Sequence, residues 1–463
     1  MRFRNAATAG LLLVTAVLLA ACDWPMYRSG PGHSGTNVFE NTISTSNVST
    51  LRMAFSGSSP QSDGAPIVAN GVLYLEGLGT SSHAPQLAAF DASGTHCSGP
   101  CTPLWTATLP SGTGHATPAV ANGIVYVSAG NLFAFDATGN TNCSGLPKIC
   151  RPLWEGQLNA TANYSSPNVV NGVVYLGGGG SSLLYAFDAS GTTNCSGSPK
   201  VCEPMWTGRA ASGANRGAVD SSPAYANGVV YIASADGSLY AFDGNGKTNC
   251  SGTPIVCTQL WSATVGGSAA PPQTAPAVAN DTVYYANGTL YAFDASGTKD
   301  CSGSPKVCNP IWTGAGTAVS SPAVTSSTVF VGEANDGAQS GVAAFDALGT
   351  MGCAGTPKVC NPLWFDSVSG SVGLGGYSSP TVANGVLYIG GNTFGSGGSL
   401  YAFDAAGRLG CAGVPMTCAP LFAYSLGSPS YLFSDPTVAN GTVFVRGATL
   451  IEGDTNFVGL RLP

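Results

Sequence analysis

Ser221-Ser222-Pro223-Ala224-Tyr225-Ala226-Asn227-Gly228-Val229-Val230-Tyr231-Ile232 continues through Ser238-Leu239-Tyr240-Ala241-Phe242-Asp243, Cys250, Cys257 and Leu260-Trp261. Each piece has a local physical reading. The run after Pro223 is a short strand, with proline at its first position, where no ladder donor is lost. Asn227-Gly228 reaches positive φ at both central positions of a tight hairpin turn. Val229-Val230-Tyr231-Ile232 is a β-branched and aromatic second strand. Leu239 to Phe242 is a third, ended by Asp243, whose carboxylate can bond the backbone of the next turn. Leu260-Trp261 begins a fourth. Four antiparallel strands, named A to D here from first to last, make one propeller blade.

The unit recurs along the whole chain. The A–B hairpin occurs eight times, at prolines 66, 118, 167, 223, 276, 322, 380 and 436. An aromatic residue follows at constant spacing: Tyr74, Tyr126, Tyr175, Tyr231, Tyr284, Phe330, Tyr388 and Phe444. Strand C ends at Asp91, Asp136, Asp188, Asp243, Asp294, Asp346 and Asp404, with a degenerate eighth copy at 457–461. Strand D carries Trp105, Trp154, Trp206, Trp261, Trp312, Trp364 and Phe422. The eighth D strand is missing after the last C strand, while Leu51 to Ser56 precedes the first hairpin. These observations predict an all-β, eight-bladed propeller of four-stranded antiparallel blades over residues 48–463, the N-terminal strand closing the last blade. Seven blades plus an unrelated tail is the alternative. Closure leaves no open sheet edge at the seam, and the ring is expected to be a monomer.

The N-terminus bears on location. Arg2 and Arg4 precede an apolar stretch from Ala9 to Ala21, too short to span a bilayer. It ends Leu19-Ala20-Ala21-Cys22, which resembles the lipobox of bacterial lipoproteins. Residues 1–21 are therefore read as a lipoprotein signal peptide, Cys22 as the lipidation site, and 22–47 as a lead-in segment or tether. Simple cleavage with Cys22 unmodified is the rival reading. The expected product is exported and held on the bacterial cell membrane or outer membrane, with the propeller outside the cytoplasm.

Of the 15 cysteines, Cys22 stands alone. The others form local pairs: Cys97 with Cys101, Cys143 with Cys150, Cys195 with Cys202, Cys250 with Cys257, Cys301 with Cys308, Cys353 with Cys360, and Cys411 with Cys418. In an exported chain such pairs read as disulfides. Zinc is the alternative, but zinc needs pairs that converge, and these sit on separate repeats.

Loop lengths distinguish the two faces of the ring. The A–B interval is constant, and the C–D interval is constant in six of seven copies. The B–C and D–A intervals each vary from 10 to 17 positions. Uniform loops read as scaffold, and variable ones on one rim as a binding surface. The candidates on that rim are His115, Tyr164, Arg209, Arg216, Asp220, Glu333 and Asp336; the bland alternative for each is a solvated loop residue.

Covalent chemistry has little support. Tryptophans at one repeat position read as packing anchors, and repeated aspartates as turn caps. His33, His83, His96 and His115 lack metal-ligand spacing, and there is no nucleophile elbow or phosphate loop. Only 8% of residues are charged, the net charge is -7, and no Lys/Arg run offers a nucleic-acid footprint.

The repeated S-S-P-A-V-x-N-G-V-V-Y…L-Y-A-F-D…L-W unit, with Asp23-Trp24-Pro25-Met26-Tyr27-Arg28 and His33-Ser34-Gly35 ahead of it, resembles the pyrroloquinoline quinone (PQQ)-binding-like β-propeller repeat family. The resemblance implies two directions. Quinoprotein alcohol dehydrogenases in the family carry an adjacent Cys-Cys disulfide and calcium-binding carboxylates around the quinone; no two cysteines are adjacent here. Other members are noncatalytic lipid-anchored propellers, including the scaffold lipoprotein of the outer-membrane β-barrel assembly machine. The function expected is a noncatalytic envelope scaffold that binds a protein partner, without cofactor, metal or catalytic residues. A PQQ-dependent oxidoreductase and a glycan-binding propeller are the alternatives.

Overall fold

The computed structural model describes residues 22–463 apart from 60–61, 63, 78–85, 98, 111–114, 159–161, 163, 211–217, 267–273, 335–339, 367–377, 394–396, 428–429, 432–433 and 450–454. Eight A–B–C antiparallel meanders follow one another along the chain, each completed by a strand D. In blade 4 the strands are Ala224–Ala226, Val229–Ser234, Ser238–Asp243 and Trp261–Thr264. The hairpin turn has φ 49° at Asn227 and 84° at Gly228, as its sequence requires. Asp243 caps the turn after strand C by accepting from the N–H groups of Asn245, Lys247 and Thr248. Among the described residues no helix is long and apolar enough to cross a membrane.

The ring closes as expected. Blade 8 takes Thr437–Ala439, Thr442–Arg446 and Thr455–Arg461 from the C-terminal end and Arg52–Ser59 as its strand D. A bulge between Met53 and Phe55 brings Phe55 opposite Gly459, the place that Trp206 takes opposite Ala186 in blade 3. Phe55 thus stands in the tryptophan position.

The tryptophans join neighbouring blades. Trp261 packs on Tyr231 of its own blade and on Phe293 of blade 5, with ring centroids 5.9 and 6.3 Å away. Both Tyr231 Oη and Trp261 Nε1 donate to the carbonyl of Ala295 in blade 5, at 2.9 and 3.3 Å. Gly297 completes the contact. Its φ is 64°, and a Cβ there would collide with the Trp261 indole. Gly297→Ala is therefore expected to cost about 2–4 kcal/mol, from the left-handed backbone and overpacking together. A urea-unfolding midpoint equal to that of the parent would contradict this.

The disulfide hairpins do more than close their own loops. Six blades have six strands because the Cys–Cys hairpin of the next blade laps onto the outer edge of strand D. Val307–Cys308, between strands C and D of blade 5, runs parallel to strand D of blade 4, and the Ser262 N–H donates to the Lys306 carbonyl at 3.0 Å. The first hairpin reaches back across the seam, where Cys101 bridges Gly57 of blade 8. All seven cysteine pairs are disulfides, and Cys22 is free. Each disulfide therefore stiffens a strap between two blades.

The lead-in segment closes the axis at one level, running round the inner strands. Strand A is the innermost of each blade, and Trp24 to Asn37 bonds to all eight. Val68, Val120, Tyr225, Val278, Val324 and Val382 donate their N–H groups to the carbonyls of Trp24, Pro25, Pro31, Gly32, Ser34 and Gly35. Blade 3 contributes the Asn168 side chain to the Pro31 carbonyl, and Asn37 reaches the Val438 carbonyl of blade 8. Thr36–Asn37 pairs parallel with strand A of blade 7 as a fifth strand.

Candidate functional site

Two places collect chemistry-bearing residues, the axis and the variable rim. On the axis, the residue before the blade proline forms a belt of side-chain oxygens. Thr117, Ser166, Ser222 and Ser321 each accept from the backbone of the preceding blade. In blade 8 this residue is Asp435, which accepts the Ser379 N–H at 2.6 Å and pairs with Arg28 at 3.4 Å. Arg28 is buried and also donates to the Pro322 carbonyl at 2.8 Å. Burial pushes the Asp435 carboxyl up, against the pull of Arg28. Burial and then the Arg28 charge hold His33 down at about 3, so its ring is neutral at physiological pH. Burial pushes Tyr27 up to about 12, and its hydroxyl shares a hydrogen bond with Ser321 at 3.0 Å. The sequence carried a signal for this cluster. Ser-Ser-Pro recurs in four repeats, and Ser434-Asp435-Pro436 departs from it. A carboxylate in place of serine marks where a buried cation needs a partner.

On the rim, the structure brings together two of the predicted residues. His115 and Tyr164, ahead of blades 2 and 3, stack with centroids 4.5 Å apart and planes 10° from parallel. Asp220 is buried, which pushes its carboxyl up. Arg209 is exposed at the end of strand D of blade 3. Arg216 and Asp336 lie outside the described residues. Among the described residues no ion pair or hydrogen bond links Arg209, Asp220 and Glu333 to one another, so these three form no constellation.

Glu333, in strand B of blade 6, is buried with its carboxylate over Gly316. Burial pushes its pKa from 4.5 up to about 7. The native state thus keeps a proton that the unfolded chain releases, and stability falls as pH rises from about 5 to about 8. The loss is on the order of 3 kcal/mol. Glu333→Gln is expected to abolish it and to be the more stable protein at the alkaline end. Parallel unfolding curves for parent and variant across that range would refute the assignment.

Cys22 lies on the opposite, A–B face. Asp23 next to it accepts from the Asn70 N–H and the Asn440 side chain, both in A–B turns, at 2.7 and 3.0 Å. Burial, then Glu40 and Asp23, raise the Cys22 thiol pKa. Val38 and Phe39 beside it are 75% and 59% exposed, and the Phe39 carbonyl accepts from Cys22 Sγ.

The sequence model of a family described as outer membrane protein assembly factor BamB matches residues 41–296 and 203–408. The chain belongs to the BamB family. No curated protein matches it in sequence. Among solved structures, this BamB-family chain is similar to BamB from Moraxella catarrhalis, 12% identical with a TM-score of 0.57, over 88% of this chain and 97% of that one. It is also similar to a europium-containing methanol dehydrogenase, 13% identical with a TM-score of 0.64, over 97% and 100% of the two chains. A quinohemoprotein alcohol dehydrogenase from Comamonas testosteroni is 13% identical with a TM-score of 0.64, over 97% and 82%. At these identities the likeness is one of fold, and the fold hosts both kinds of protein.

Whether this BamB-family chain suits a quinone is a question for its own residues. The axis is taken by Trp24 to Asn37, bonded to every blade. Among the described residues no three His, Cys, Asp or Glu side chains stand together as a metal site. Each disulfide joins cysteines four or seven positions apart rather than adjacent ones. The described residues do not fit the quinone and its calcium.

Proposed function

We propose that this BamB-family propeller is a noncatalytic envelope lipoprotein that binds a protein partner through its B–C/D–A rim. The observation that carries the reading is the lead-in segment. It closes the axis at one level with the chain's own backbone, bonded to every blade, and leaves Cys22 on the A–B face, so a lipid on Cys22 would tether that face and turn the variable rim away from the membrane. The exposed Val38 and Phe39 beside Cys22 suit a surface held against lipid. The stacked His115 and Tyr164 give the free rim a preformed aromatic element, a residue type enriched at protein interfaces.

The test is affinity capture from native membranes with the parent chain and with a rim variant, His115→Ala/Tyr164→Ala. One stoichiometric envelope partner, lost in the variant, is the expected result. Capture unaffected by the variant would remove the rim from the proposal. Reduction of a dye acceptor by pure protein given PQQ, calcium and an alcohol would overturn the noncatalytic reading itself. Mass spectrometry of the mature protein checks acylation at Cys22 independently.

A further inference from the structure

Among the described residues, the outer edge of strand D is paired in seven blades and unpaired in one. In blades 1 to 6 the hairpin of the next blade lies parallel to it, and in blade 8 the hairpin of blade 1 does so. The contact follows one pattern. The N–H of the residue after the tryptophan donates outward to the hairpin: Thr106 to Lys148, Glu155 to Lys200, Thr207 to Ile255, Ser262 to Lys306, Thr313 to Lys358 and Phe365 to Met416. In blades 2 and 5 a second outward amide, of Gln157 and Ala315, reaches the second cysteine of the hairpin. Blade 7 has strand D at Phe422–Ser425, and its sheet ends there. Blade 8 draws its own strand D from residues 52–59, so among the described residues no C–D hairpin exists to cover that edge.

One further feature marks the missing cover. Phe422, in the tryptophan position, is only partly buried, and Ala423 and Ser425, the counterparts of the outward donors, are exposed. A single 3-10 turn, Val48–Thr50, flanks the strand, and it presents no extended edge for pairing.

We propose that Phe422–Ser425 is a docking edge for an extended segment of a partner protein, added as a parallel strand. The molecule itself shows the occupant the edge accepts. Seven copies of that geometry hold a short extended segment whose carbonyl meets the first outward amide or, in blade 8, whose amide meets a strand D carbonyl. Main-chain bonds give such sites their affinity. The proposal deepens the protein-binding reading but uses different residues from the rim, so each can fail alone.

The probe is a disulfide-closed peptide with the sequence of residues 299–310, the strap of blade 4. With the intact chain at millimolar peptide, the amides of Ala423 and Ser425 should gain hydrogen-exchange protection. Ala423→Pro deletes the outward donor while sparing the inward ladder, a substitution edge strands tolerate. It should weaken peptide binding about tenfold. Protection elsewhere, no binding, equal affinity in the variant, or self-association of the chain through this edge in place of peptide binding would overturn the proposal. The exchange measurement on the unsubstituted chain keeps the test decisive if the variant folds poorly.

Discussion

A chain beginning at residue 60 is expected not to fold as a monomer. Residues 22–59 supply two things that nothing else replaces, the axial segment and strand D of blade 8. With them go six buried apolar side chains, Trp24, Met26, Ile43, Val48, Leu51 and Phe55. At about 1.5–3 kcal/mol each, their burial contributes about 9–18 kcal/mol. That matches or exceeds the net stability of a typical domain, about 5–15 kcal/mol. The truncation would also leave strand C of blade 8 as an unpaired edge, prone to aggregation, and Asp435 buried without Arg28. A milder truncation, beginning at residue 40, keeps Ile43, Val48, Leu51 and the closing strand. It should fold, with a lower urea midpoint, because the seam is kept and the loss is confined to the axial bonds, to buried Trp24 and Met26, and to the Arg28 partner of Asp435. Size-exclusion chromatography and far-UV circular dichroism distinguish these outcomes. A residue-60 truncation as monomeric and as stable as the full chain would show that the seam does not hold the ring.

Reducing the seven disulfides is expected to have the next largest effect. Six close loops of about eight residues, for which chain entropy gives about 2.5 kcal/mol each; the shorter Cys97–Cys101 loop gives about 2 kcal/mol. The contributions are not independent, because each hairpin also straps two blades, as the Ser262–Lys306 bond shows. Loosening one strap frees the edge of its neighbour. Cys301→Ser/Cys308→Ser should therefore cost about 2–3 kcal/mol, and complete reduction several times that, read as the shift in urea midpoint with and without reductant. An unchanged midpoint on full reduction would mean that the hairpins hold their geometry without covalent help.

The axial and rim sites were legible to different degrees. His115 and Tyr164 could be placed on one rim from loop spacing, since both precede the first strand of their blades; that they stack depends on adjacent blades bringing them to 4.5 Å. Glu333 could be placed in a variable loop region, but its burial over Gly316 could not be read from spacing. Trp24 to Asn37 buries alternate residues at its two ends, Trp24, Met26 and Arg28, then His33, Gly35 and Asn37. Half of that buried set is polar or charged, so hydrophobicity does not trace the alternation in the sequence.

The sequence by itself determined the blade and pointed to eight of them closed by the N-terminal strand, which the pairing of residues 52–59 with 455–461 then established. Those follow from local chemistry: Asn-Gly at the hairpin, Asp243 at the turn, Trp261 at a fixed interval, and a strand D missing at one end and present at the other. It also determined the cysteine partners, since each lies within one short loop. Tertiary structure alone decided that the hairpins strap neighbouring blades, that the lead-in segment closes the axis at one level with Arg28 against Asp435, and that no described strand pairs with the outer edge of blade 7. Each of these joins residues from different repeats, as Ser262 joins Val307 or Arg28 joins Asp435, 407 positions apart. Spacing within a repeat carries no information about which repeats come to lie side by side; closure of the ring supplies it.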